Sequence, residues 1–158
     1  MISIKNPVFP IATALLLFNC GGEETGHADA DRETATAPNS LTEAEAAEGW
    51  RLLFDGRSFD GWRGLGRDSI PEGHWVIEQG DIRKVASGDV RTAPDGQPLE
   101  GGDILTVDTY RDFELVLEWK VREGANSGIK YNVSEAMSTE SPPVHAALGF
   151  EYQILDDD

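Results

Sequence analysis

This sequence has a single cysteine, Cys20, so no disulfide can close within the chain. It is short of cations: 13 Lys and Arg stand against 29 Asp and Glu, a formal charge of −16. Binding a phosphate backbone takes clustered Lys and Arg, so the balance argues against nucleic acid as a partner. After residue 20 no run is long and apolar enough to cross a bilayer. A serine nucleophile elbow, a phosphate-cradling glycine loop and a metal-ligand spacing are all missing. Long helical periodicity is scarce, while 17 glycines and 8 prolines punctuate the chain. That combination favours short strands joined by turns.

What is present begins with "MISIKNPVFPIATALLLFNC": one Lys, an apolar stretch from Ile11 to Phe18, then Cys20. Leu17 three before the cysteine and Gly21-Gly22 after it resemble a bacterial lipoprotein signal, with Cys20 as the lipidated first residue of the mature chain. A plain cleaved secretory signal or an amphipathic anchor remains the alternative, since Phe18 and Asn19 stand where small residues are usual. Residues 1–20 are therefore set outside the fold. Residues 21–48 lack aromatic side chains and are rich in Ala, Thr, Glu and Asp, the composition of a disordered acidic tether. Within it, Thr42 with Glu45 three residues on forms a capping-box pattern for one short helix.

All four tryptophans lie at residue 50 or beyond, so a packed domain is expected over 49–158. "WRLLF", "DILTV" and "GIKYNV" read as strands, and "HWVIE" and "DIRKVA" as a hairpin around Gln79-Gly80. "DGRSFDGW" reads as two Asp-Gly turns around an aromatic anchor. In "DFELVLEWKVR", Phe113, Leu115, Leu117, Trp119 and Val121 alternate with charged residues, broken only by Val116. "SEAMSTESPPVHAAL" reads as a polar loop. In "GFEYQILDDD", Phe150, Tyr152 and Ile154 alternate with Glu151 and Gln153, which puts the first three in the core. The pattern implies an all-β sandwich of two sheets. Its outer face would carry Glu118, Lys130, Glu151 and Gln153. Such a face is either simply solvated or binds a polar ligand such as a carbohydrate, with Glu118 and Glu151 as acid and base and Asn126, Asn132 and Gln153 fixing a sugar. Of the histidines, His27 belongs to the tether. His74 is expected to cap a strand and touch a neighbour, and His145 sits in a Pro-bounded loop.

"GWRLLFDGRSFDGW", "HWVIEQGDI", "GGDILTVDTYRDFELVLEWKVREGANSGIKYNV" and "FEYQILD" occur in the order of the landmarks of the 3-keto-disaccharide hydrolase domain family, which this chain resembles from about Glu48 to Asp158. The resemblance implies a concanavalin A-like jelly roll, here incomplete at its C-terminal side. It also implies a secreted or lipid-anchored bacterial hydrolase or lyase acting on 3-keto-glycosides by C2 proton abstraction, elimination and hydration. A divalent metal ion would suit that chemistry as an enolate stabiliser. Carried over by motif, Glu118 and Glu151 would be catalytic. Asn126, Ser127, Lys130 and Gln153 would contact substrate, and Asp156 closes the last motif. A lectin-like carbohydrate-binding module and an inactive half-domain are the competing readings. The partner is a carbohydrate in each active case, the membrane is reached only through the Cys20 anchor, and the expected location is the bacterial cell envelope.

Overall fold

The computed structural model describes residues 1–6, 37–85, 94, 101–140 and 146–156. Cys20, His27 and His145 lie outside the described residues, as does most of the expected tether. Among the described residues nine strands and two short helices follow in order: β1 (Ile2–Lys5), α1 (Glu43–Ala47), β2 (Arg51–Leu52), β3 (Trp62–Gly64), β4 (Trp75–Glu78), β5 (Asp81–Lys84), β6 (Ile104–Thr106), β7 (Glu114–Leu117), β8 (Asn126–Tyr131), α2 (Glu135–Thr139) and β9 (Phe150–Leu155). The class is all-β. The strands pair as one three-stranded sheet, β2-β1-β7, and three two-stranded ladders, β3-β6, β4-β5 and β8-β9. All the ladders are antiparallel. These small sheets do not themselves draw out a two-sheet jelly roll.

Local chemistry explains several elements. β4 and β5 meet across Gln79 (φ 55°) and Gly80 (φ 83°). Positive φ at both central residues is the hairpin turn whose twist matches the strands. Asp55 Oδ1 accepts from the Arg57 and Ser58 amides, closing the first Asp-Gly turn. Phe54 is buried beside it, and the Trp62 indole donates to the Leu53 carbonyl at 2.6 Å. α1 carries the full capping box, with Thr42 accepting from the Glu45 amide and the Glu45 carboxylate accepting from the Thr42 amide.

Four expectations are corrected. Residues 1–20 are not wholly outside the fold, because Ile2–Lys5 runs between β2 and β7 with Ser3 and Ile4 buried. Its alternation of Ile with Ser and Lys is itself a strand pattern. The segment expected as a polar loop contains α2, capped by Ser134, whose hydroxyl accepts from the Met137 amide. β7 ends at Leu117, although the alternation continues to Val121, because its pairing with β1 runs out at Ile2↔Leu117. Finally, Phe150 and Tyr152 are 65% and 67% exposed, so of the three alternating apolar residues only Ile154 is buried. Phe113 and Trp119 are exposed as well. β9 pairs with β8 alone, and the side of that ladder bearing Tyr131, Phe150 and Tyr152 is solvent-accessible. The buried apolar set among the described residues is Ile4, Phe54, Leu65, Ala147 and Ile154.

Candidate functional site

The β8-β9 register decides which polar residues can cooperate. Residues directly opposite in an antiparallel pair project to the same side. Asn126 faces Leu155, Gly128 faces Gln153, and Lys130 faces Glu151. Asn126, Lys130, Glu151 and Gln153 therefore share one face. Ser127, opposite Ile154, is on the other side with Ile129 and Tyr152, so it does not join them.

Gly128 sets the arrangement on this face. A Cβ built there would collide with the Glu151 Oε1, Cγ and Cδ atoms. The Glu151 side chain thus folds diagonally across the bare backbone of Gly128. Its carboxylate lies over Gly128, on the face that Asn126, Lys130 and Gln153 share. Glu151 and Gln153 are exposed, so a ligand can reach them from solvent.

The Lys130 side chain extends to Asp103, with Nζ 3.0 Å from Oδ2. The same Oδ2 accepts from the Ala147 amide at 2.7 Å, and the Asp103 carbonyl accepts from the Leu65 amide at 3.1 Å. Asp103 thereby ties β6 to both β8 and the entry to β9. One residue earlier, the Gly102 carbonyl accepts from the Trp75 indole at 2.5 Å, and the His74 ring lies so close to Gly102 that no Cβ would fit. His74 is 3% exposed, and its Nδ1 lies 3.3 Å from Lys84 Nζ. Burial holds the Lys84 ammonium below the usual lysine range, while the nearby Asp103 charge acts in the opposite sense. His74 is thus a packed neighbour, as expected. Asp103 and Lys84 were not singled out from the sequence. No local motif marks them, because segments distant in sequence bring them together.

Glu118 lies elsewhere. It follows β7, in the sheet with β1, and its side chain is 81% exposed with Oε2 2.8 Å from the Met1 amine. The expectation that Glu118 shares a sheet face with Glu151 is corrected: β7 pairs with β1, and β8 with β9. Asp156 is a fastener for the turn before β8. Its Oδ2 accepts from the Gly124 amide at 2.6 Å, and its amide donates to the Ala125 carbonyl at 3.2 Å. Glu135 has a similar part. It grips Arg63 through two hydrogen bonds of 2.5 and 2.7 Å and accepts from the Gly66 amide, which holds its carboxyl at about 2.

Among the described residues no three His, Cys, Asp or Glu side chains come together. The described part of the face offers one carboxylate and two amides. A shallow cleft of about 240 Å³ beside Arg51, Asp60, Asp108 and Tyr110 shares no residue with this face. Chemically, the β8-β9 face carries a carboxylate and two amides on one exposed side, with the Lys130 ammonium engaged by Asp103. That set suits a neutral, hydroxyl-rich ligand carrying an acidic C–H.

Residues 49–158 match the family model described as the 3-keto-alpha-glucoside-1,2-lyase-like domain. A 3-keto-disaccharide hydrolase of Bacteroides thetaiotaomicron is 34% identical over 177 aligned residues, an alignment covering 98% of this chain and 59% of that protein. The chain thus spans less than two thirds of the length of that relative.

Proposed function

The chain belongs to the 3-keto-alpha-glucoside-1,2-lyase-like family, and from that premise we propose that it cleaves glycosides whose sugar ring carries a ketone at C3. The observation that carries the reading is the placement of Glu151 over Gly128, on the face it shares with Lys130, Asn126 and Gln153. A C3 ketone acidifies the C2 proton. The Glu151 carboxylate takes that proton, the C–H pair forms a C2=C3 bond, and the carbonyl pair moves onto oxygen as an enolate. The enolate returns its pair to restore the ketone, a C1=C2 bond forms, and the C1–O bond to the leaving group breaks. The departing oxygen gains a proton. Water then adds hydroxyl to C1 and hydrogen to C2. One glycosidic bond and one water are consumed, giving a 3-keto sugar and a free alcohol. Asn126 and Gln153 hold the sugar hydroxyls through their amides. Glu118 follows β7, which pairs with β1 and not with the β8-β9 ladder, and it has no part in the proposed step. A divalent ion would add Lewis-acid stabilisation of the enolate. The described residues do not assemble its ligands, and no step here runs through it.

The test is release of the leaving group from a 3-keto-glucoside beside its unoxidised parent, with and without a chelator. Cleavage of the keto substrate alone, lost in Glu151→Gln, supports the reading. Cleavage of both, or none lost on that substitution, sinks it. Sugar retained without turnover supports a carbohydrate-binding module instead.

The envelope location is part of the same proposal. Cys20 is lipidated and residues 21–48 lead to the domain. Supporting it is the apolar run Ile11–Phe18 before Cys20. Cys20→Ser is expected to move the protein from the membrane fraction to the soluble one and to abolish labelling by radioactive palmitate.

A further inference from the structure

The cleft of about 240 Å³ beside β2 takes no part in the proposed cleavage, and every residue that lines it lies between positions 51 and 110. Its walls are cross-linked. The Trp62 indole donates to the Leu53 carbonyl at 2.6 Å, and the Val107 amide donates to the Gly61 carbonyl at 2.8 Å. The Thr106 hydroxyl donates to the Asp108 carbonyl at 2.8 Å, which fixes the turn bearing Asp108. Within this lining, Arg51 Nη2 donates to Asp108 Oδ2 at 2.9 Å, and the Arg51 guanidinium carbon lies 6.0 Å from the centre of the Tyr110 ring.

The Leu53 and Gly61 carbonyls are already engaged, so a ligand here meets side chains. A guanidinium has several N–H groups and a carboxylate two oxygens, so the Arg51–Asp108 pair keeps donors beside an acceptor after bonding to itself. A hydroxyl both donates and accepts. Two neighbouring hydroxyls on a ring therefore match such a pair. Charge narrows the class: Asp108 balances Arg51, and Asp60 in the same wall disfavours an anion. Leu52, Leu53 and Val107 supply an apolar part that the C–H groups of a sugar ring can cover. Burial pushes the Tyr110 hydroxyl above its ordinary 10, so it keeps its proton at neutral pH. Pockets for drug-sized ligands start at about 300 Å³, so a cleft of about 240 Å³ suits one ring.

The geometry points to a second sugar site in this cleft, where Arg51, Asp108 and Tyr110 hold one neutral pyranose ring by two neighbouring hydroxyls. It shares no residue with the β8-β9 face, and it does not rest on the keto-glycoside reading. Its preference is the reverse of the one proposed for that face. A ketone at C3 of a simple glucoside leaves no two neighbouring ring hydroxyls, since only those at C2 and C4 remain. The cleft therefore holds the unoxidised sugar and releases the oxidised one.

The chain has three tyrosines, Tyr110, Tyr131 and Tyr152, and the last two are on the exposed side of the β8-β9 ladder. The full chain, carrying ¹³C-labelled tyrosine, is titrated with the methyl glycosides of glucose, galactose, mannose and xylose. Cyclohexanol, a ring without neighbouring hydroxyls, is the control. At least one glycoside is expected to shift the Tyr110 ring signals saturably while Tyr131 and Tyr152 stay in place, and cyclohexanol to shift none. Arg51→Met and Asp108→Asn are each expected to weaken that binding about tenfold, the size of one charge-assisted hydrogen bond. Both side chains are largely exposed, so neither change empties a packed site. The 3-keto form of methyl glucoside is expected to shift Tyr110 about tenfold more weakly than its parent, again the size of one such bond. Cleavage of a 3-keto-glucoside is expected to be unchanged in Arg51→Met. No Tyr110 shift with any glycoside, shifts at Tyr131 or Tyr152 instead, or undiminished binding in both variants overturns the site. Equal binding of the keto form overturns the two-hydroxyl contact, and a fall in kcat in Arg51→Met overturns the separation from the cleavage face. Tyr110 shifts in a chain that cleaves no keto-glycoside uphold the sugar site and remove only the proposed activity.

Discussion

At the scale of single residues, two alternate positions on β9 have opposite fates. Ile154 is 8% exposed and Tyr152, two residues away, is 67% exposed. Ile154→Ala should therefore cost about 2–4 kcal/mol, the usual loss for emptying a packed aliphatic site. Tyr152→Ala should cost under about 1 kcal/mol, since it loses only a cross-strand contact with Ile129. Urea unfolding of both variants checks the contrast, and equal losses would mean that the aromatic face is covered in solution. Glu135 offers a pH test. Its carboxyl is held at about 2, below its ordinary value of 4.5, first by the Arg63 hydrogen bonds and then by the Gly66 amide. A depressed carboxylate contributes stability that is present above 4.5 and is lost as the pH falls through about 2. Glu135→Gln should thus be less stable than the parent at neutral pH by about 1–2 kcal/mol, allowing for the part of the side chain that water reaches. The two melting curves should converge through that acid window, and a gap that stays constant with pH would show that the ion pair is not its source.

At the scale of elements, what could be read from the sequence was local. The Gln79-Gly80 hairpin and the Thr42 capping box are each written within a few residues, and both form as expected. The shared face of Lys130, Glu151 and Gln153 followed from period-two alternation on two adjacent strands. What was missed depends on distant partners. α2 is latched by Arg63, 72 residues from Glu135, a contact no local pattern announces. Glu118 was placed on the wrong sheet because alternation gives a strand's faces but not its neighbour, and β7 takes β1 as its partner. Asp103 was invisible for the same reason. Gly128 is the informative element-level test, since its value lies in the side chain it lacks. Gly128→Ala puts a methyl where the Glu151 carboxyl lies. Glu151 is exposed and can swing outward, so stability should change by less than about 1 kcal/mol. Turnover of a 3-keto-glucoside should fall about 100-fold, because a displacement on the ångström scale is enough to misplace a base. Full activity in Gly128→Ala would show that the folded-over position of Glu151 is not the working one.

At the scale of the whole molecule, the β1 strand and the proposed lipid anchor make exclusive demands on the first five residues. As part of a leader cleaved before Cys20, as proposed, they would leave the protein. As β1 they stand in the middle of a three-stranded sheet, with Ile4 buried and Lys5 over the Trp50 ring at 4.6 Å. Removing them would take from β2 and β7 the one partner strand that each has among the described residues. Two amides report the difference directly. Leu53 donates to the Ile2 carbonyl at 2.9 Å, and Glu118 donates to the Met1 carbonyl at 3.0 Å. In the chain that keeps its first residues, both amides should resist hydrogen exchange. In a chain beginning at Cys20 they should exchange at rates close to those of exposed backbone, while the β4-β5 and β8-β9 amides, whose partners are retained, keep their protection. Processing would also release the Glu118 carboxylate from the Met1 amine. Unchanged protection of Leu53 and Glu118 after removal of residues 1–19 would mean that β1 is not their partner in solution, and that the sheet around β7 is completed in another way.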